Sequence, residues 1–153
     1  MSSILVPHEA SSAAVVRHRL SDELASQGVA GAAVDEAALV LSELVGNAVR
    51  HGAPLPGGGV RASWALRDDV LRVEVRDGGE GVPEQLPPTA SVPGGGSVSD
   101  VERGRGLTIV GLLAGRWGTS RSGAAVTVWA DLSIWPSARG GAPGMGSRPA
   151  WAT

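Results

Sequence analysis

The 153-residue chain contains no cysteine and no lysine, and its only aromatic residues are five tryptophans. The absence of cysteine rules out disulfide staples, thiolate catalysis and cysteine-ligated zinc, and it agrees with a reducing compartment. The absence of lysine rules out a Walker A loop, the strand lysine of protein kinases, Schiff-base chemistry and Ser-x-x-Lys acylation. All 13 basic residues are arginine, so any phosphate must be held by guanidinium groups, backbone N–H groups or a metal. His8-Glu9 has no second histidine at the spacing of a zinc-protease helix, which argues against a zinc enzyme. No apolar run approaches the ~18 residues of a membrane span. Pro7, His8 and Glu9 interrupt the N-terminus before the apolar stretch of a secretory signal develops. The expectation is a cytoplasmic protein without a membrane partner. With a net charge of −2, no basic cluster and few rings, a nucleic-acid footprint is also missing.

Hydrophobic residues make up 42% of the chain, enough for one compact core and too short a sequence for two. Glycine and proline divide it: five fall in 53–59, twelve in 78–106 and seven in the last 21 residues. Ordered elements should lie outside those zones. Residues 133–153, with two arginines, no acid and little periodicity, read as a disordered Gly/Pro-rich tail, leaving a domain over 1–132. The pattern predicts a helix from Ser11 or Ser12 to about Gln27, with Ala14, Val15, His18, Leu20 and Leu24 roughly on one stripe. It predicts a second, buried helix over 32–50. A hairpin follows over 60–66 and 70–76, with Leu71, Val73 and Val75 facing in while Arg72, Glu74 and Arg76 face water. A long loop over 77–105, a helix over 106–113 and strands over 116–121 and 124–132 complete the chain.

Three groups could carry chemistry. Glu43 and Asn47 are four residues apart and project from one face of the second helix, sharing a stripe with Glu36 and Arg50. They read either as an exposed amphipathic stripe or, given the apolar crowding around them, as part of a site. Asp77-Gly78-Gly79-Glu80-Gly81, where the hairpin ends, reads either as an ordinary turn or as a carboxylate that accepts a ligand's amino group beside glycines allowing close approach. Gly104-Arg105-Gly106, opening the third helix, reads either as a helix cap or as an anion site built from free N–H groups and a guanidinium.

Taken together and in this order, the three groups resemble the ATP-binding domain shared by gyrase, histidine kinases and the Hsp-type chaperones. The stretches Leu41-Ser-Glu-Leu-Val-Gly-Asn-Ala-Val-Arg-His-Gly52 and Gly104-Arg-Gly-Leu-Thr-Ile-Val-Gly-Leu-Leu-Ala-Gly-Arg-Trp-Gly118 look like the bacterial anti-sigma-factor serine kinases, with similarity over about residues 4–132. The resemblance implies a two-layer α/β sandwich with a mixed, mostly antiparallel sheet and helices on one face. It implies that Asn47 ligates Mg²⁺ on the phosphates of ATP, a hard ion that prefers oxygen ligands, and that Glu43 is the general base. Asp77 would bind the adenine amino group, directly or with a water that Thr127 supports. Gly79 and Gly81 would line the adenine pocket and hinge a lid over 82–103, while Gly104, Arg105 and Gly106 would hold the phosphates. The implied activity is a Mg-ATP-dependent serine/threonine kinase that phosphorylates an antagonist protein, with a sigma factor or that antagonist as partner, and with two copies pairing as related proteins do. The alternative is a non-catalytic nucleotide binder that sequesters a protein. Many relatives place a lysine near the γ-phosphate; here Arg103 or Arg105 would have to supply that charge.

Overall fold

The structure is a computed structural model and describes residues 1–79 and 105–134. Eight elements follow one another: β1 (Ser2–Val6), α1 (Ser12–Ser26), α2 (Gly31–His51), β2 (Val60–Arg67), β3 (Val70–Asp77), α3 (Arg105–Leu113), β4 (Arg116–Ser122) and β5 (Ala125–Ser133). The five strands form one sheet in the order β1-β2-β3-β5-β4. All four pairings are antiparallel, so the expected α/β architecture stands and no parallel pair occurs among the described residues.

Alternation along the strands determines which face of the sheet is covered. Val60, Ala62 and Trp64 of β2, Leu71, Val73 and Val75 of β3, and Val126, Ala130 and Leu132 of β5 are buried. Their register partners coincide: Ala62 opposes Val75, Trp64 opposes Val73, and Val73 opposes Ala130. These side chains therefore point to one side, where α2 packs against β2, β3 and β5 and is flanked by α1 and α3. The opposite face carries Arg72, Glu74 and Arg76, as the pattern predicted. There Arg72 lies 4.5 Å over the ring of Trp129 and donates two hydrogen bonds to Asp131, at 2.7 and 2.8 Å, tying β3 to β5.

In α2 the buried residues are Val34, Ala37, Ala38, Val40, Leu41, Leu44, Val45 and Ala48, an apolar arc that covers most of the helix. Each fully buried aliphatic side chain contributes roughly 1.5–3 kcal/mol, so the packing of this arc outweighs the unfavourable Gly46 inside the helix. In α1 the buried positions are Ser12, Val16, Leu20 and Leu24, whereas Ala14, Val15 and His18 face solvent. The stripe thus follows strict four-residue spacing rather than the broader one expected. Ser11 makes no side-chain cap. Instead the buried hydroxyl of Ser12 donates to the Pro7 carbonyl at 2.6 Å and closes the turn before the helix.

Two boundaries differ from expectation. The N-terminal segment forms an edge strand, β1, because Ile4 and Val6 alternate onto the covered face opposite Ala62 and Val60. At the other end β5 runs to Ser133, and Ile134, 6% exposed, joins the core while its N–H donates to the Asp69 carbonyl at 2.7 Å. The folded domain therefore passes the expected boundary at 132, and the remainder of the expected tail lies outside the described residues. Ile134→Ala should destabilise the domain by about 2–5 kcal/mol, the range for a buried aliphatic truncation. The exposed Ser133→Ala should leave denaturant midpoints unchanged, and equal midpoints for the two variants would show that Ile134 is not part of the core.

Candidate functional site

The second half of α2 passes from core packing to the site. Glu43 and Asn47 are half-buried between the apolar arc and solvent, and Arg50 is exposed. Asn47 Oδ1 accepts a hydrogen bond from Arg50 Nη2 at 3.1 Å. Arg50 folds back over Gly46, where a Cβ would lie 3.2 Å from Arg50 Nη1 and shift the guanidinium slightly. The other end of the amide, Asn47 Nδ2, is buried and has no partner among the described residues. Leaving such a donor unpaired costs ~1–3 kcal/mol, so a ligand acceptor there would be favoured. Glu43, about 6 Å back along the helix axis from Asn47, has no hydrogen-bond or ion-pair partner among the described residues.

Asp77 closes β3 and is 5% exposed. Its Oδ1 accepts the Gly79 N–H at 2.7 Å. Burial raises the carboxyl above its ordinary pKa, while the Gly79 N–H and nearby His8 pull it down. The surrounding backbone leaves no room. A Cβ on Gly52, the residue that ends α2, would lie 2.5 Å from Asp77 Cγ and 2.8 Å from the Ala48 carbonyl oxygen. Asp77 is therefore held against the C-terminal end of α2, the helix that carries Asn47. The loop after α2 docks on the same segment, with the Gly78 N–H donating to the Ala53 carbonyl at 2.7 Å. Gly79 has φ +80, and a Cβ on it would run into the Ala124 carbonyl.

The structure thus sets Asp77 and Gly79 against the C-terminal end of α2, the helix whose second half carries Glu43 and Asn47. It does not bring Thr127 there. Thr127 opposes Arg76 and Asp77 opposes Val126 in an unbroken register, so Thr127 points to the open face of the sheet, away from the Asp77 carboxylate. The role in supporting a water beside Asp77 is therefore corrected. Arg105 opens α3, with Gly106 in its first turn, and α3 packs on α2, placing that helix beside the site helix. Gly81, Gly104 and the expected lid over 82–103 lie outside the described residues.

Three residues of the site went unassigned in the sequence reading. Gly52 and Gly78 are sites of close backbone approach whose need for glycine appears only when the α2 end meets β3. His8 was weighed only as a zinc ligand. Its Nε2 lies 3.1 Å from the Ala48 carbonyl and 3.0 Å from that of Gly52. Among the described residues no cluster of three or more His, Asp or Glu could hold a metal on its own, so a cation here would take most of its ligands from the phosphates it accompanies and from water.

A buried carboxylate beside close-packed glycines thus faces the end of a helix that offers a half-buried carboxylate and an amide whose Nδ2 is unpartnered among the described residues, within an α/β domain. Residues 6–130 match the family described as Histidine kinase-like ATPase domain, and the chain belongs to that family. No curated protein matches the chain significantly. Among solved structures, one of the RsbU and RsbW domains of Rv1364c from Mycobacterium tuberculosis is similar, with 21% identity and a TM-score of 0.63. That likeness covers 87% of this chain and 32% of the other, so the chain spans about a third of that structure's length.

The packing around Asp77 yields two expected outcomes. Gly79→Ala should destabilise the protein more than Gly123→Ala, because both positions have positive φ but only Gly79 would also meet a carbonyl; equal losses in thermal midpoint would refute the close approach. Asp77→Asn should raise the thermal midpoint without ligand at pH 7. Because the folded carboxyl lies above its ordinary value of 3.8, the folded state binds the extra proton, and stability falls as pH rises from that value through the raised one. The amide cannot ionise and still accepts the Gly79 N–H, so the variant's midpoint should lack this decline; a wild-type midpoint that rises across that window would contradict the assignment.

Proposed function

We propose that the chain is a Mg-ATP-dependent regulatory serine/threonine protein kinase of the anti-sigma-factor type that phosphorylates an antagonist protein. The observation that carries this reading is the Asp77 carboxylate, buried at a cost to stability and closed in by Gly52 and Gly79 at the end of the helix that carries Asn47 and its unpartnered Nδ2. A buried acceptor of this kind suits the exocyclic amino group of adenine. The wording of residues 41–52 and 104–118, which resembles the anti-sigma-factor kinases, supports the narrower choice. The same resemblance supports a sigma factor or its antagonist as partner, pairing of two copies, and a cytoplasmic location. No helix among the described residues is long and apolar enough to cross a membrane.

In this reading Asp77 accepts the N–H of the adenine amino group, and Gly79 and Gly81 flank the base. Gly104, Arg105 and Gly106 hold phosphate oxygens with backbone N–H groups and a guanidinium. Asn47 offers an oxygen ligand to Mg²⁺, which when bound offsets phosphate charge. Glu43 takes the proton from the attacking serine hydroxyl as its oxygen bonds to the γ-phosphorus and the bond to the ADP oxygen breaks. One observation favours the second reading, a nucleotide-binding module that sequesters its partner without turnover. Arg50 already donates to Asn47 Oδ1, the atom a cation would use, and its guanidinium puts a positive charge beside that position.

The two readings part at Glu43. Glu43→Gln preserves size, so Mg-ATP affinity should stay within a few-fold of wild type while phosphoryl transfer to an antagonist serine falls about 10²–10⁴-fold, the usual contribution of a positioned base. Asp77→Asn should weaken adenosine and Mg-ATP alike, by about tenfold or more, and Asn47→Ala should weaken Mg-ATP far more than adenosine. Calorimetric titration beside single-turnover transfer assays with labelled ATP checks all three. Unchanged transfer in Glu43→Gln removes the general base; no transfer in wild type with intact binding selects sequestration.

A further inference from the structure

His8 lies on the turn between β1 and α1, far in sequence from the site, and its ring reaches the end of α2. The turn itself is pinned, with Pro7 O accepting from both the Ser12 hydroxyl at 2.6 Å and the Glu9 N–H at 2.8 Å, and Glu9 O accepting from the Ser12 N–H at 3.1 Å. Ser12 is 2% exposed, so this anchor is a core contact. His8 Nε2 sits between the carbonyls of Ala48 and Gly52, at 3.1 and 3.0 Å. Both neighbours are acceptors, so Nε2 carries the proton and donates. The Ala48 carbonyl also accepts the Gly52 N–H at 3.0 Å, which makes the three groups one junction. Gly52 in turn abuts the Asp77 carboxyl so closely that no Cβ fits between them.

We propose that His8 is a positioning residue of the adenine site, whose Nε2–H clamps the α2 end and Gly52 against Asp77 and so sets the orientation in which the carboxylate meets a purine amino group. The inference rests on the nucleotide-binding reading. A helix-end cap alone would use the Ala48 carbonyl and the favourable dipole at the C-terminus of α2. Here the same N–H also holds the carbonyl of Gly52, the residue whose Cα side abuts the Asp77 carboxyl. His8 is also close enough to Asp77 to favour its ionised form, the form that accepts an amino proton without donating one in return. The ring therefore acts on the carboxylate through the position of the Gly52 backbone.

The test compares His8→Ala and His8→Gln in the full chain, because the glutamine amide can present an N–H at similar reach without the ring. Affinities for adenosine, Mg-ATP and Mg-tripolyphosphate are measured by calorimetry, and the Gly79 amide proton, bonded to Asp77, is followed by NMR without nucleotide. His8→Ala should weaken adenosine and Mg-ATP about five- to tenfold, on the scale of one lost hydrogen bond. It should leave Mg-tripolyphosphate within about twofold and move the Gly79 amide resonance upfield. His8→Gln should recover adenosine affinity to within about threefold of wild type. Wild-type adenosine affinity in His8→Ala with an unmoved Gly79 amide would overturn the proposal. So would equal losses for all three ligands that track a lowered thermal midpoint and are not recovered by glutamine, the signature of a plain helix cap. If wild type binds neither adenosine nor Mg-ATP, the nucleotide reading fails, and the proposal's ligand with it; the Gly79 resonance in the two variants still decides whether His8 positions Asp77.

Discussion

A carboxylate held out of water at the end of β3 sets the terms for the rest of the site. Removing an acid from solvent is unfavourable unless its oxygens are satisfied, and Asp77 receives one backbone N–H, from Gly79, with His8 nearby. An amide in its place would keep that bond without the desolvation cost. The fold nevertheless closes around the acid: Gly52 leaves no room for a Cβ beside its Cγ, and Gly78 is tied to Ala53. Such an arrangement stabilises the protein less than the isosteric alternative, a cost that the proposed contact with a ligand amino group would offset. Perturbed acids in enclosed positions are candidates for functional sites.

Helix α2 connects that carboxylate to the core. One arc of it is buried against the sheet and against α1, and this packing fixes the helix axis, so Glu43 and Asn47 are presented from a rigid support. Its only interior glycine, Gly46, weakens the helix locally, and Arg50 folds back over it to Asn47. The same helix then ends at Gly52, where its last carbonyls meet His8 and its backbone meets Asp77. Core packing, the amide of Asn47 and the position of Asp77 are thus linked through one element.

Much of this was legible in the sequence because it depends on local periodicity. The apolar density of 32–50, the in-out alternation of 71–76 and the glycines after Asp77 each encode their element or turn directly. Thr127 was misplaced because strand alternation is a matter of register, and which residue opposes Asp77 is known only once β5 is paired with β3. The edge strand β1 is too short to declare itself, and it exists because β2 offers a partner. Ile134 follows the last clear alternation and enters the core through a bond to Asp69 in a distant turn. Gly52 and His8 carried no signal of their own. Their roles arise from contacts spanning 25 and about 40 residues of chain, which no spacing pattern records.

The central claim is that Asp77 reads a purine amino group, and substituting that group in the ligand tests it without altering the protein. Inosine triphosphate replaces the amino group by a carbonyl while keeping the sugar and phosphates, so phosphate contacts cancel in the comparison. Calorimetric titration of the wild-type chain with Mg-ATP and Mg-ITP under identical conditions should show ATP bound at least about tenfold tighter, since two acceptors facing each other in a buried site lose a hydrogen bond and repel. Equal affinities for the two nucleotides would contradict the account.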